Sequence, residues 1–98
     1  MHARLSFIDG SPDGIDAGTS SFREQVVPTV REDGGTGAIL LIDRENGRAI
    51  GITLWSDEEA MRASETDANR LRAQAADEVH ATAPPRVERY EVAVFESF

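Results

Sequence analysis

The chain has 98 residues, a formal net charge of −8, no cysteine and no lysine. That length predicts one domain over residues 1–98, with a thin stability margin unless it oligomerises. Without cysteine there are no disulfides, thiolate metal sites or cysteine nucleophiles, and without lysine there is no Schiff-base chemistry and no P-loop lysine. The arginines are scattered among more numerous carboxylates, which speaks against nucleic acid as a partner, and the acidic balance speaks against anionic membranes. No stretch reads as a signal peptide or a membrane span, so a cytoplasmic protein is expected.

Arg4–Asp9 reads as a first strand, with Leu5 and Phe7 on one face and Arg4, Ser6 and Ile8 on the other. His2, close to the terminus, is expected to be mobile. Gly10–Gly14 is a turn, with Ser11 or Asp13 as cap and Pro12 at the first helical position. A first helix is predicted from about Gly14 to Arg31, with Ile15, Phe22, Val26 and Val30 drawing an apolar stripe. Pro28 falls inside it and cannot donate to the Glu24 carbonyl, so a kink or distorted last turn is expected there. Gly34 and Gly35 end the helix.

Thr36–Asp43 and Ala49–Trp55 read as the second and third strands, joined by a hairpin through Asn46-Gly47, two residues that tolerate positive φ. Ser56, with Glu59 three residues on, reads as a capping box opening a second helix. Ala60, Ser64, Ala68, Leu71, Ala75 and Val79 mark its buried face, and Ser64 is a possible break point. Ala83–Pro85 stop it, and Arg86–Phe95 reads as a fourth strand.

The order βαββαβ predicts an α+β, ferredoxin-like fold: a four-stranded antiparallel sheet with both helices on one face. Ala38–Ile42 (AILLI) does not alternate, and Ile50, Ile52 and Leu54 share a face, so the other side of the sheet also needs cover. A second copy of the chain is the economical cover, giving a dimeric barrel.

With Gly37–Ile42 (GAILLI), the hairpin, and Ile52–Met61 (ITLWSDEEAM) passing from strand into helix, this pattern resembles the dimeric α+β barrel superfamily, in particular its antibiotic-biosynthesis-monooxygenase-like (ABM-like) domains. The resemblance covers nearly the whole chain. It implies a homodimer with a cavity between sheet and helices in each subunit. It also implies, where members are enzymes, cofactor-independent oxidation of aromatic polyketides or quinols, or haem degradation. The haem-degrading branch is expected to carry an asparagine on the first strand and a tryptophan and histidine on the second helix. Here the first strand has no asparagine, and Ser64 and Gln74 stand about where the other two would lie. Glutamine does not replace an imidazole on haem iron, so no cofactor is expected.

Trp55, the only tryptophan, could stack on a planar ligand or fill the core. Phe22 and Asn69 are further pocket candidates. His80, at the end of the second helix, is the one plausible titrating base, and Tyr90 could orient a phenolic substrate. Helix-end decoration explains His80 equally well, and a wet strand edge explains Tyr90. Two distant histidines without cysteine indicate no metal site, and the glycine run at Gly34–Gly37 leads from helix to strand, the reverse of a phosphate loop. Two functions follow as expectations. One is cofactor-independent oxidation of a small aromatic or quinol-like compound. The other is a non-catalytic homodimeric module that binds a small molecule or only assembles.

Overall fold

A computed structural model describes residues 1–98. Strand β1 (His2–Asp9) leads through a 3-10 turn (Pro12–Gly14) into α1 (Ile15–Ser21), a π-helical turn (Phe22–Val26) and α2 (Val27–Glu32). Then come β2 (Gly37–Asp43), β3 (Arg48–Trp55), α3 (Glu58–Ala63), α4 (Glu65–Glu78) and β4 (Arg86–Glu91). The sheet order is β2-β3-β1-β4, with every neighbouring pair antiparallel. This is the ferredoxin-like arrangement that the sequence predicts.

The registers sort the side chains. Leu5 pairs with Ile52 and Phe7 with Ile50, while Ile39 pairs with Ile52 and Leu41 with Ile50. These positions share one face, away from the helices. Arg4, Ser6, Thr53 and Trp55 lie on the other, under the helices. The helix-side core is built on Trp55, Met61 and Val30, with Val26 and Ala60 packed against it.

Four local expectations are corrected. The first helix does distort, but one turn before Pro28. Val27 N–H bonds back five residues to the Phe22 carbonyl, so the helix widens where Pro28 has no N–H to give. The cap of the second helix is Asp57 rather than Ser56: its Oδ1 accepts from Ala60 N–H at 2.7 Å. A carboxylate there also meets the positive end of the helix dipole. In the hairpin only Gly47 takes positive φ (68°). Asn46 instead bonds Asp43, from its backbone N–H at 3.2 Å and its Nδ2 at 2.8 Å. The fourth strand stops at Glu91, because its partner β1 begins at His2, the residue opposite Glu91. His2 is accordingly a strand residue, paired with both Trp55 and Glu91.

The helix breaks at Ser64, the residue between α3 and α4. Ser64, Leu71 and Val79 are buried as the sequence periodicity predicts. Val79 sits against the first turn of α1, where a Cβ on Gly14 would lie 2.7 Å from the Val79 Cα. Ser11 N–H bonds the Val79 carbonyl at 3.1 Å and Thr82 N–H the Asp9 carbonyl at 2.8 Å, so the end of α4 is fastened to the end of β1.

Replacing Asp57 by alanine removes a cap that satisfies an otherwise free N–H. It is expected to destabilise the fold by about 1 kcal/mol. Ser56→Ala should stay within roughly 0.5 kcal/mol of the parent. Urea unfolding of both variants checks the assignment, and the reverse order of effects would return the cap to Ser56.

Candidate functional site

Between the sheet and the helices lies a cavity of about 90 Å³. Its sheet side is formed by Arg4, Ser6, Gly51, Thr53 and Trp55, and its helix side by Phe22, Val26, Leu71 and Arg72 among others. Phe22 and Val26 are the two ends of the π-helical turn. The missing N–H of Pro28 thus shapes the wall one turn upstream. Opposite, the Phe22 ring rests on Gly51, where a Cβ would come within 3.3 Å of it.

Arg4 is 3% exposed on the helix side of β1. Its Nη2 donates to the Met61 carbonyl at 2.5 Å and to Ser64 Oγ at 2.8 Å, and lies 3.2 Å from Glu65 Oε1. Its Cζ stands 5.6 Å from the centroid of the Trp55 ring, within cation–π range. Its Nε is buried without a hydrogen-bond partner. Trp55 is 0% exposed, and its Nε1 donates to Thr53 Oγ1 at 3.0 Å. The ring is therefore core and cavity wall at once.

Glu65 also accepts from Arg89 Nε of β4 at 2.8 Å. Arg72 donates from Nε to Ser6 Oγ at 3.1 Å and from Nη1 to Asn69 Oδ1 at 2.8 Å. Burial lowers the pKa of both Arg4 and Arg72, and for Arg72 the charge of Arg4 adds to it. Guanidinium remains protonated regardless. Asp33 and Asp67 line the same cavity, and burial, then the Asp67 carboxyl, pushes Asp33 upward. The cavity thus has two cationic groups, two carboxyls and an apolar middle.

No protein-family model matches the chain. The uncharacterised protein Rv2558 of Mycobacterium tuberculosis is 37% identical over 95 residues, which is 96% of this chain and 39% of that protein. The chain thus spans about two fifths of the length of this curated relative. Three solved structures share the architecture. The monooxygenase ActVA-Orf6 of Streptomyces coelicolor, in complex with nanaomycin D, superposes with TM-score 0.73 at 18% identity over 98% of this chain and 91% of that one. SnoaB, a cofactor-independent oxygenase of Streptomyces nogalater, gives 0.69 at 17% identity, covering 96% and 94%. A dimeric ferredoxin-like protein from an uncultured marine organism gives 0.68 at 11% identity, covering 98% and 92%. The chain has the ABM-like fold. At these identities the likeness is one of fold.

Within that fold, the sequence candidates separate. Trp55 and Phe22 line the cavity. Asn69 is exposed and touches the site through Arg72. His80 and Tyr90 are not brought to it. His80 follows α4 in a left-handed conformation (φ 54°), and Ala81 N–H behind it bonds the Ala76 carbonyl at 2.9 Å. That is a helix-stop position, where glycine is usual. Tyr90 is exposed on β4, and its hydroxyl donates to Glu88, which raises the phenol pKa. The haem-type positions are also committed elsewhere: Ser64 holds Arg4, and Gln74 Nε2 donates to Glu78 Oε1 at 3.2 Å. Those residues do not fit a haem. Sequence reasoning missed Arg4, Glu65 and Arg72. The available signal was that Arg4 and Ser6 alternate with Leu5 and Phe7, a pattern that ordinarily marks a wet face.

The hydrogen bond from Arg89 holds the Glu65 carboxyl below the usual carboxylate range, with the charges of Arg4 and Arg89 assisting and burial opposing. A folded-state value below the unfolded one gives stability that is present above the ordinary glutamate pKa and lost as pH falls through the folded value. Glu65→Gln is expected to cost about 3 kcal/mol at pH 7, because Arg4 stays buried with its partner removed. The gap to the parent should shrink as pH falls below the ordinary glutamate pKa, about 4.3. Urea midpoints at pH 7, 5 and 3 measure it, and a gap independent of pH would contradict the assignment. His80→Gly should stabilise the chain by roughly 0.5–1 kcal/mol by relieving the left-handed residue, as thermal unfolding would read.

Proposed function

We propose that the chain works as a homodimer and oxidises a small aromatic or quinol-like compound in the helix–sheet cavity without a cofactor. The observation that carries this reading is the cavity itself, an apolar space between Trp55 and Phe22 with guanidinium groups at its wall. Solved proteins of the same fold support it, among them one described as a cofactor-independent oxygenase and one as a monooxygenase bound to nanaomycin D. A quinol gives up two electrons and two protons to dioxygen, forming the quinone and hydrogen peroxide. Loss of the first phenolic proton is the step a cationic wall assists, since it stabilises the anion that reacts with oxygen. A single domain over residues 1–98 and a cytoplasmic setting belong to the same reading; no helix is long and apolar enough to cross a membrane.

The dimer is supported by the outer face of the sheet. Ile39 is 39% and Leu41 48% exposed there, beside half-buried Leu5, Phe7, Ile50 and Ile52. A contiguous apolar face of this kind marks an interaction surface.

A second reading is a non-catalytic dimeric module that binds a small molecule or only assembles. The cavity favours it in two respects: about 90 Å³ is well below the usual ligand pocket, and no histidine or tyrosine stands at its wall.

Sedimentation equilibrium should give a dimer mass for the parent and a monomer mass for Leu41→Glu; a monomeric parent would remove the dimer. Oxygen uptake with 1,4-dihydroxynaphthalene should exceed that of the quinol alone and saturate. Quenching of Trp55 fluorescence by the quinol without added uptake would instead select the binding module.

A further inference from the structure

We infer that the Arg4 guanidinium is a ligand anchor, and that the cavity takes aromatic compounds carrying an anionic oxygen, a carboxylate or a phenolate. The inference rests on the cavity being the binding site and goes further by naming the ligand's charge and its contact. Arg4 is 3% exposed, yet the hydrogen bonds it makes within the protein leave from Nη2 alone. Nε is buried with no partner at all. A buried guanidinium N–H without an acceptor is a costly exception in a folded protein, and one explanation for such an exception is an acceptor supplied by a ligand. Arg4 lines the cavity, so a ligand that displaces the wall around the guanidinium would supply the acceptor.

The charges immediately around Arg4 point the same way. Glu65 is the one carboxylate within 4 Å of Arg4, and it is shared with Arg89. Arg72 adds a second cation at the cavity wall, held in place by Ser6 and Asn69. Trp55, whose ring the same guanidinium stands over, makes this part of the cavity wall aromatic. The acid pair Asp33–Asp67 elsewhere on the lining suits a hydroxyl group on the same ligand. In this state the cavity is too small for a substituted ring, so the ligand needs room at the wall, and Phe22, stacked over side-chain-free Gly51, is the bulky group whose movement would give it.

The test is titration of the whole chain with 4-hydroxybenzoate, with 4-nitrophenolate at pH 8 and with the neutral 4-hydroxybenzyl alcohol. Nitrogen-15 NMR follows the Arg4 Nε–H, and Trp55 fluorescence follows occupancy. Either anion should shift the Arg4 Nε–H downfield and bind at least ten-fold tighter than the alcohol, and the stronger of the two tells carboxylate from phenolate. Phe22→Ala should tighten binding, and Arg4→Lys should weaken the anions but not the alcohol. Equal binding of all three, no binding, or an unmoved Arg4 resonance on saturation would overturn the inference, and the parent spectra decide it even where Arg4→Lys fails to fold. Oxygen uptake is read separately: anion binding without uptake removes the oxidation and leaves the anchor. Uptake with an unmoved Arg4 resonance does the reverse.

Discussion

Taking the Arg4 guanidinium out of water costs several kcal/mol, and much of the local structure is arranged to offset that cost. The Met61 carbonyl, in the last turn of α3, accepts from Nη2 as well as from the N–H and hydroxyl of Ser64. Ser64, at the break between α3 and α4, accepts from it as well. Glu65, the first residue of α4, supplies the counter-charge, and Trp55 supplies a π face. The break in the second helix is where these acceptors come together.

The same interaction orders the sheet. β1 delivers Arg4 and β4 delivers Arg89 to one carboxylate of α4, Glu65, while β3 delivers Trp55 to the Arg4 guanidinium. The side of the sheet under the helices is therefore polar at one end and apolar at the other. The opposite side has no such division. Its isoleucines and leucines, two of them more than a third exposed, form a surface continuous across β2, β3 and β1.

Much of this architecture was legible in the residues. The turn glycines, the AILLI run, the Ser64 break and the spacing of Leu71 and Val79 fix the element order, and the sheet order follows from the handedness of the crossovers. What was not legible depended on competition between neighbours. Ser56 and Asp57 both suit a cap, and their backbone conformations decide between them. Pro28 announces a distortion without saying on which side it falls; the proline has no N–H, and the ladder re-forms one residue longer upstream. The site was half legible. Trp55 and Phe22 stand out because they are aromatic, whereas an arginine on a strand reads as solvent-facing until the helix covering it is known. His80 and Tyr90 attracted notice by chemical type, yet one is the left-handed stop of a helix and the other an exposed partner of Glu88.

The fastening of Val79 against Gly14 bears on how anything reaches the cavity. Helix α4 is held at its far end by Val79 and Ser11, at its near end by Ser64 and Glu65, and between them by the bond from Arg72 to Ser6. It behaves as a beam clamped at both supports and pinned at midspan, and a beam so held does not tilt. The facing element is built differently. Its π-helical turn carries a wider backbone ladder, with Phe22 over Gly51 and Val26 against the Trp55 cluster. The cavity thus lies between a helix fastened along its length and one whose ladder is widened in the turn upstream of Pro28.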